Sequence, residues 1–257
     1  MTNPTLPKGQ LFINGQWRDA ADGATSPTFN PANELEIMRV AQATLDDVDD
    51  AVDSAYDAFE NGEWRKMGPH HRARVLNKIG DLIEENADEL AALESMDMGK
   101  PLAFARHFDI QFIADLFHFY AGVASGQLGG ATRQVTPSES GHMPLAYTRK
   151  EPLGVIAAIT PFNFPMILSC TKIAPALAAG NTFVHKPASA TPLTALRMAQ
   201  LFKDAGLPDG TFNVVTGSGR TVGNALVEHP KVKKIAFTGS TEVGKGILKQ
   251  SACNPNN

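Results

Sequence analysis

The spacing of apolar residues along this chain changes character twice, near residues 44 and 153. Up to residue 43, short apolar runs lie among turn formers. Leu11-Phe-Ile-Asn-Gly-Gln-Trp17 sets Asn14-Gly15 between two β-favouring stretches, which predicts a hairpin. From Leu45 to Gly122 the period is helical. Val52, Tyr56 and Phe59 recur at helical spacing behind Asp46, Asp47, Asp49 and Asp50, an acidic cluster that reads as helix-dipole stabilisation on a solvated face. Further helices are expected over about His70–Glu84, Ala87–Met98 and Leu102–Ala121. Residues 125–152 are rich in Gly, Ser and Pro with short extended pieces, the pattern of a hairpin or excursion rather than of a core element.

Beyond residue 153 extended and helical stretches alternate. The runs Gly154–Thr160, Asn181–His185, Thr211–Thr216 and Val232–Thr238 are extended. Pro165–Ala179, Pro192–Ala205, Thr221–Glu228 and Thr241–Gln250 have helical period. Four strands alternating with four helices predict an α/β fold with a mostly parallel, doubly wound sheet. Right-handed crossovers then align the four strand C-termini along one edge, where ligands bind in such sheets.

Composition narrows the function classes. A chain of 257 residues with 43% hydrophobic and 19% charged residues can bury a sizeable core, as one large domain or two small ones. Its net charge of −4 and pI near 6.0 lack the basic footprint of a dedicated nucleic-acid binder. Two cysteines cannot build a disulfide framework, and no Cys/His spacing suits a metal. The first ten residues hold no apolar run suited to a secretory signal, and no stretch nears the ~18 apolar residues of a membrane span. A soluble, cytoplasmic α/β or α+β protein is expected.

The candidate chemistry sits at the four strand-to-helix junctions. In Thr160-Pro-Phe-Asn-Phe-Pro165, two prolines stiffen a turn around Asn163, whose amide can donate to an oxyanion; taken alone, such an Asn is most often a turn residue. Lys186, in His185-Lys-Pro-Ala-Ser189, can hydrogen-bond ribose hydroxyls or pair with a phosphate, although a lone Lys is most often solvated surface. Gly217-Ser-Gly-Arg-Thr-Val-Gly223 follows a strand and opens a helix, but its spacing is GxGxxxG rather than the dinucleotide fingerprint GxGxxG, and it reads equally as a plain tight turn. In Phe237-Thr-Gly-Ser-Thr-Glu-Val-Gly-Lys-Gly246, backbone N–H groups at a helix start, with the Ser240 hydroxyl, make a phosphate site. That segment falls one residue short of a Walker A motif because Gly246 replaces the Ser or Thr that holds magnesium, so a P-loop NTPase is disfavoured. A short-chain dehydrogenase is excluded as well: Tyr56, Tyr120 and Tyr147 are followed four residues later by Glu60, Ala124 and Glu151, never by the Lys of a YxxxK pair.

Taken together, these segments resemble the aldehyde dehydrogenase superfamily. The resemblance is carried by Thr160–Pro165, Lys172-Ile-Ala-Pro-Ala-Leu-Ala-Ala-Gly180, Lys186-Pro187 and Phe237–Gly244, and in order before them by Phe12–Trp17, Phe29-Asn-Pro31 and Arg149–Ile156. It implies an atypical Rossmann-like sheet with N-terminal helices and a protruding oligomerisation hairpin. Residues 1–124 would be the N-terminal part of the cofactor-binding domain, 125–152 the hairpin and 153–257 the NAD(P)-binding core. It further implies that Lys186 and Ser189 face the adenosine ribose, that Gly219 and Gly223 flank the adenine, and that Phe237, Gly239, Ser240 and Val243 hold the pyrophosphate end. Ile159, Thr160, Pro161 and Phe162 would line the path to the nicotinamide, Asn163 would be the oxyanion donor, and Lys172 would lie near the reaction centre. A homo-oligomeric complete enzyme is also implied.

Two departures matter. NAD-preferring relatives often carry Glu at the position of Ser189, and a Ser there does not repel a 2′-phosphate, so NADP is expected to be accepted. The family reaction, oxidation of an aldehyde to a carboxylic acid, needs a cysteine thiolate and a water-activating Glu. The Glu-Leu-Gly-Gly and Gly-Gln-x-Cys stretches that carry them do not occur in residues 1–257. Cys170 reads as a small buried hydrophobe and Cys253 as a bystander in a polar tail. The expectation is therefore a cofactor-binding portion without its nucleophile. The alternative is a truncated, non-catalytic nucleotide-binding or oligomer-modulating protein.

Overall fold

A computed structural model describes residues 4–126, 130–134 and 145–252. The N-terminal hairpin forms as expected, with strands β1 (Leu11–Ile13) and β2 (Gln16–Arg18) joined by Asn14 and Gly15, both at positive φ. A second hairpin of β3 (Thr25–Phe29) and β4 (Glu36–Ala41) follows. Helices α1 (Leu45–Glu60), α2 (Pro69–Glu85) and α3 (Ala87–Met98) then match their periodicity.

Two expectations in this region need correction. Asp47 is not on a solvated face: it is 2% exposed, closes a capping box with Thr44, and accepts the Ala21 N–H. Although burial pushes its carboxyl up, those backbone bonds, the Thr44 hydroxyl and Arg18 hold it below its ordinary pKa. The helix expected over 102–121 is instead three pieces: α4 (Leu102–Phe104), a π-helical stretch (Ala105–Ile110) and α5 (Gln111–Gly126). Asp109, on the π-helical stretch, forms a buried ion pair with Lys100.

Of the excursion at 125–152, β5 (Thr132–Gln134) and β6 (Leu145–Tyr147) form an antiparallel pair; residues 127–129 and 135–144 lie outside the described residues. The remainder alternates as the sequence predicts, through β7 (Val155–Ile159), α6 (Pro165–Ala178), β8 (Thr182–Lys186), α7 (Leu193–Asp204) and β9 (Phe212–Val214). A π-helical turn (Gly219–Gly223) leads into α8 (Asn224–Glu228), followed by β10 (Val232–Phe237) and α9 (Thr241–Ser251).

The main sheet has the order β10-β7-β8-β9-β1-β2. Its first four strands are parallel, and β1 adds antiparallel to β9 through Phe12 and Val214. Because side chains alternate across a sheet, the unbroken apolar run of β7 serves two cores. Ile156, Ala158 and Phe183 face α2, α3, α5, α6 and α7, whereas Val155, Ala157 and Val184 face α1 and α8. Chain order runs β7, β8, β9 in one direction and then returns to place β10 on the other side of β7. The strand order therefore reverses between β7 and β10, the switch point at which open α/β sheets bind ligands.

Candidate cofactor site

The ends of the parallel strands are stitched together by backbone bonds. The Thr160 N–H donates to the Lys186 carbonyl at 3.2 Å, and the Thr238 N–H donates to the Ile159 carbonyl at 3.2 Å. The Val215 N–H reaches the His185 carbonyl at 2.9 Å, and Ser189 Oγ donates to the Gly217 carbonyl at 2.8 Å. All four junctions singled out from the sequence are thereby joined at one edge.

Lys186 is not solvated surface. It is 3% exposed, its Nζ donates to the Pro187 carbonyl at 2.8 Å, and burial lowers its pKa to about 8. Alternation places Lys186 and Ile159 on the same face, and a Cβ added at Gly223 would lie 3.7 Å from Ile159 Cδ1 and 4.0 Å from Lys186 Cδ. Gly223 is buried and Gly219 exposed, with Gly217 before them at φ +147°. Across the switch point, Gly239 lets the Phe237 ring lie against the backbone: a Cβ there would sit 2.4 Å from ring Cζ. Ser240 caps α9 by accepting from the Val243 N–H at 3.3 Å, and Val243 is 52% exposed. A helix start offers N–H groups without intrahelical partners, and its dipole favours an anion.

The turn after β7 carries Pro161, Phe162 (62% exposed) and Asn163, which is exposed and makes no side-chain hydrogen bond to any described residue. Below the turn, buried groups hold it. Lys100 Nζ lies 4.0 Å from the centroid of the Phe164 ring, and Glu94 Oε1 accepts the Met166 N–H at 3.4 Å. Asp97 Oδ2 accepts the Leu193 N–H at 2.9 Å at the start of α7. Burial raises Glu94 to about 7 against the pull of Lys100, the Met166 N–H and the Thr194 hydroxyl; burial also raises Asp97 to about 8. Lys172 is half-buried, its Nζ donates to the Leu168 carbonyl at 2.9 Å, and burial lowers its pKa. Cys170 is fully buried, and burial pushes its thiol far above the ordinary range, so it is no nucleophile. Cys253 lies outside the described residues.

Sequence reasoning missed Glu94, Asp97, Lys100, Asp109 and His185. For Glu94 and Asp97 a signal was present. With Ala87, Leu90 and Ala91 they occupy one helical stripe that is otherwise apolar, the spacing of a core-facing carboxylate pair.

An exposed hydroxyl cap, a helix start, side-chain-free backbone at Gly223 and Gly239, and the apolar Phe162 and Val243 fit an elongated phosphate-bearing molecule such as a dinucleotide. The fold and site define an open α/β protein with a crevice at its switch point. The chain belongs to the aldehyde dehydrogenase family: the sequence profile described as "Aldehyde dehydrogenase family" matches residues 17–256. It is 46% identical to the human mitochondrial 10-formyltetrahydrofolate dehydrogenase over 95% of this chain and 26% of that one. It is also 46% identical to the phenylacetaldehyde dehydrogenase of Pseudomonas fluorescens, over 95% of this chain and 48% of that one. The betaine aldehyde dehydrogenase of Staphylococcus aureus, solved in complex with NAD+, superposes with a TM-score of 0.91 at 36% identity, covering 98% of this chain and 49% of that one. The chain thus spans about half the length of these relatives, or a quarter of the formyltetrahydrofolate enzyme.

Proposed function

We propose that residues 1–257 form the NAD(P)-binding and oxyanion-donating portion of an enzyme that oxidises an aldehyde to a carboxylic acid. The observation that carries this reading is the convergence, at the β7/β10 switch point, of the Asn163 turn with the Ser240-capped start of α9. Lys186 and Ser189 would take the adenosine ribose, Gly219 and Gly223 the adenine, and Phe237, Gly239, Ser240 and Val243 the pyrophosphate. Ile159, Thr160, Pro161 and Phe162 would bound the nicotinamide side. When bound, the dinucleotide supplies the hydride acceptor. Asn163 would donate its amide N–H to the oxygen that gains charge when a nucleophile attacks the aldehyde carbon, an interaction worth about 3–4 kcal/mol in comparable sites. The reading assigns no nucleophile within residues 1–257. It assigns residues 1–124 and 153–257 to the cofactor-binding domain and 125–152 to an oligomerisation hairpin.

Ser189 bears on cofactor choice. Its hydroxyl is engaged by Gly217, and the segment from Lys186 to Thr191 holds no carboxylate that would repel a 2′-phosphate. Calorimetric titration with NAD and NADP tests both points. Binding of NADP within tenfold of NAD, or tighter, is expected, with Ser189→Glu shifting preference toward NAD. Tenfold tighter NAD binding by the unaltered chain would discard the NADP expectation, and failure to bind either dinucleotide would discard the cofactor reading.

A further inference from the structure

The strand β8 carries a histidine in its core-facing row. His185 is fully buried, with the Phe183 and Phe212 rings 6.5 and 6.4 Å away, centroid to centroid. Its Nε2 lies 3.0 Å from Thr160 Oγ1 and 3.1 Å from Ser169 Oγ. Thr160 begins the turn that carries Asn163, and Ser169 lies in the first turns of α6, so the ring bridges the two ends of the turn.

Proton counting fixes the direction of these bonds. A serine hydroxyl has one proton to donate. That of Ser169 goes to the Pro165 carbonyl at 2.6 Å, so Ser169 Oγ can only accept, from the ring at 3.1 Å and from the Thr160 hydroxyl at 3.5 Å. The ring proton therefore resides on Nε2 and is shared between two hydroxyl oxygens. Nδ1 is left as a bare acceptor that finds no partner among the described residues. The opposite tautomer would bury an N–H donor against rings and leave Ser169 Oγ facing a lone pair, which costs more than an unmet acceptor. Burial, with help from Lys186 and Lys172, lowers the ring pKa to about 3, so the ring is neutral near pH 7.

We propose that His185 is a positioning residue: its Nε2–H, shared between the Thr160 and Ser169 hydroxyls, fixes the two ends of the 160–165 turn and so the placement of Asn163. The tautomer and the order of the turn follow from the hydrogen-bond geometry alone. Their consequence for the reaction rests on the oxyanion-donor reading above.

The test begins with the ring nitrogens of His185 in the ¹⁵N-labelled chain near pH 7. Nε2 should carry the proton and Nδ1 should be bare; a proton on Nδ1 overturns the proposal. His185→Leu keeps comparable bulk without a donor, whereas His185→Gln restores an N–H near the Nε2 position. If the ring only fills space, Leu serves at least as well as Gln. If it positions the turn, amide exchange at Thr160 and Met166 should accelerate about tenfold or more in His185→Leu, the loss of roughly one net hydrogen bond. In His185→Gln exchange should stay within about threefold of the original chain, even where His185→Leu matches it in global unfolding. Unchanged local exchange in His185→Leu overturns the proposal. Should that variant not fold, Ser169→Ala removes one acceptor and leaves the ring in place, and it must accelerate exchange at Met166. The dinucleotide titrations read separately: absence of binding by the unaltered chain defeats the cofactor reading, whereas the ring tautomer and exchange rates judge His185.

Discussion

The two turns that meet at the switch point are built in opposite ways. The turn after β7 rests on a buried polar floor made of Thr160, Ser169 and His185 on one side and Lys100, Asp109 and Glu94 on the other. Among the described residues, the turn after β10 has no such floor. Besides the Thr238 N–H bond to the Ile159 carbonyl, its support is the Ser240 cap and the contact of Phe237 with Gly239, and the helix it opens, α9, has no buried residue among those described. The turn proposed to polarise the substrate is thus tied at both ends to buried groups whose removal strands a charge or donor. The proposed phosphate end relies on backbone N–H groups and one hydroxyl, which any anion can use. Substitutions beneath the first turn should therefore cost stability, and substitutions at the second should leave the fold intact.

The largest effect is expected at Asp109. It is fully buried and paired with Lys100, which is 8% exposed and stacks on Phe164. Asp109→Ala leaves an ammonium without its counter-charge in the core and should cost about 3–5 kcal/mol in urea unfolding. The paired replacement Lys100→Met with Asp109→Leu removes both charges and should recover most of that loss. A cost below about 1 kcal/mol for Asp109→Ala would show that the floor is not what holds the first turn.

Glu94 gives a smaller and pH-dependent effect. Its folded pKa is raised to about 7 from 4.5, so between these values the folded chain binds more proton than the unfolded one, and stability falls as pH rises through that window. Asp97 acts in the same direction up to about pH 8. His185 opposes them: its depressed pKa makes stability rise with pH between about 3 and 6.5. Comparing Glu94→Gln with the original chain isolates the first contribution, because Gln still accepts the Met166 N–H. The advantage of Glu94→Gln should grow by on the order of 1–3 kcal/mol between about pH 5 and 8, read from urea midpoints. A constant difference across that range would mean that Glu94 stays ionised, with its charge matched by Lys100.

What the sequence made legible follows the same division. The four strand ends were found because apolar runs alternate with helical periods, and the turn residues at the switch point carry their own signals in Pro161, Pro165, Gly239 and Ser240. Much of the polar floor stayed hidden because its members lie inside elements whose pattern reads as core: His185 within an extended apolar run, Glu94 on a helical stripe with its neighbour Asp97, and Asp109 where a π-helical stretch breaks the 3.6-residue period. Period analysis assigns such residues to a face but cannot name the partner that makes their burial tolerable, since that partner comes from another element. The same blindness explains Lys186, which packs beside Ile159 of β7 and Gly223 of the π-helical turn, brought together from separate elements. It also explains β1, whose place beside β9 spans some 200 residues of sequence.

The smallest effect separates two caps of similar local form. Thr44 and Ser240 each accept an N–H three residues into a helix, at 3.2 and 3.3 Å. Thr44, however, belongs to a reciprocal box whose Asp47 also holds the Ala21 N–H and Arg18, so its loss loosens a buried junction. Ser240 serves an exposed helix alone. Thr44→Ala should lower the stability of the whole chain by about 1–2 kcal/mol, and Ser240→Ala by about 0.5–1 kcal/mol, confined to α9. Thermal unfolding should detect the first, whereas amide exchange in α9 should detect the second with little change in midpoint. If Ser240→Ala lowers the global midpoint as much as Thr44→Ala, α9 is cooperatively part of the core, and the contrast between the two turns fails.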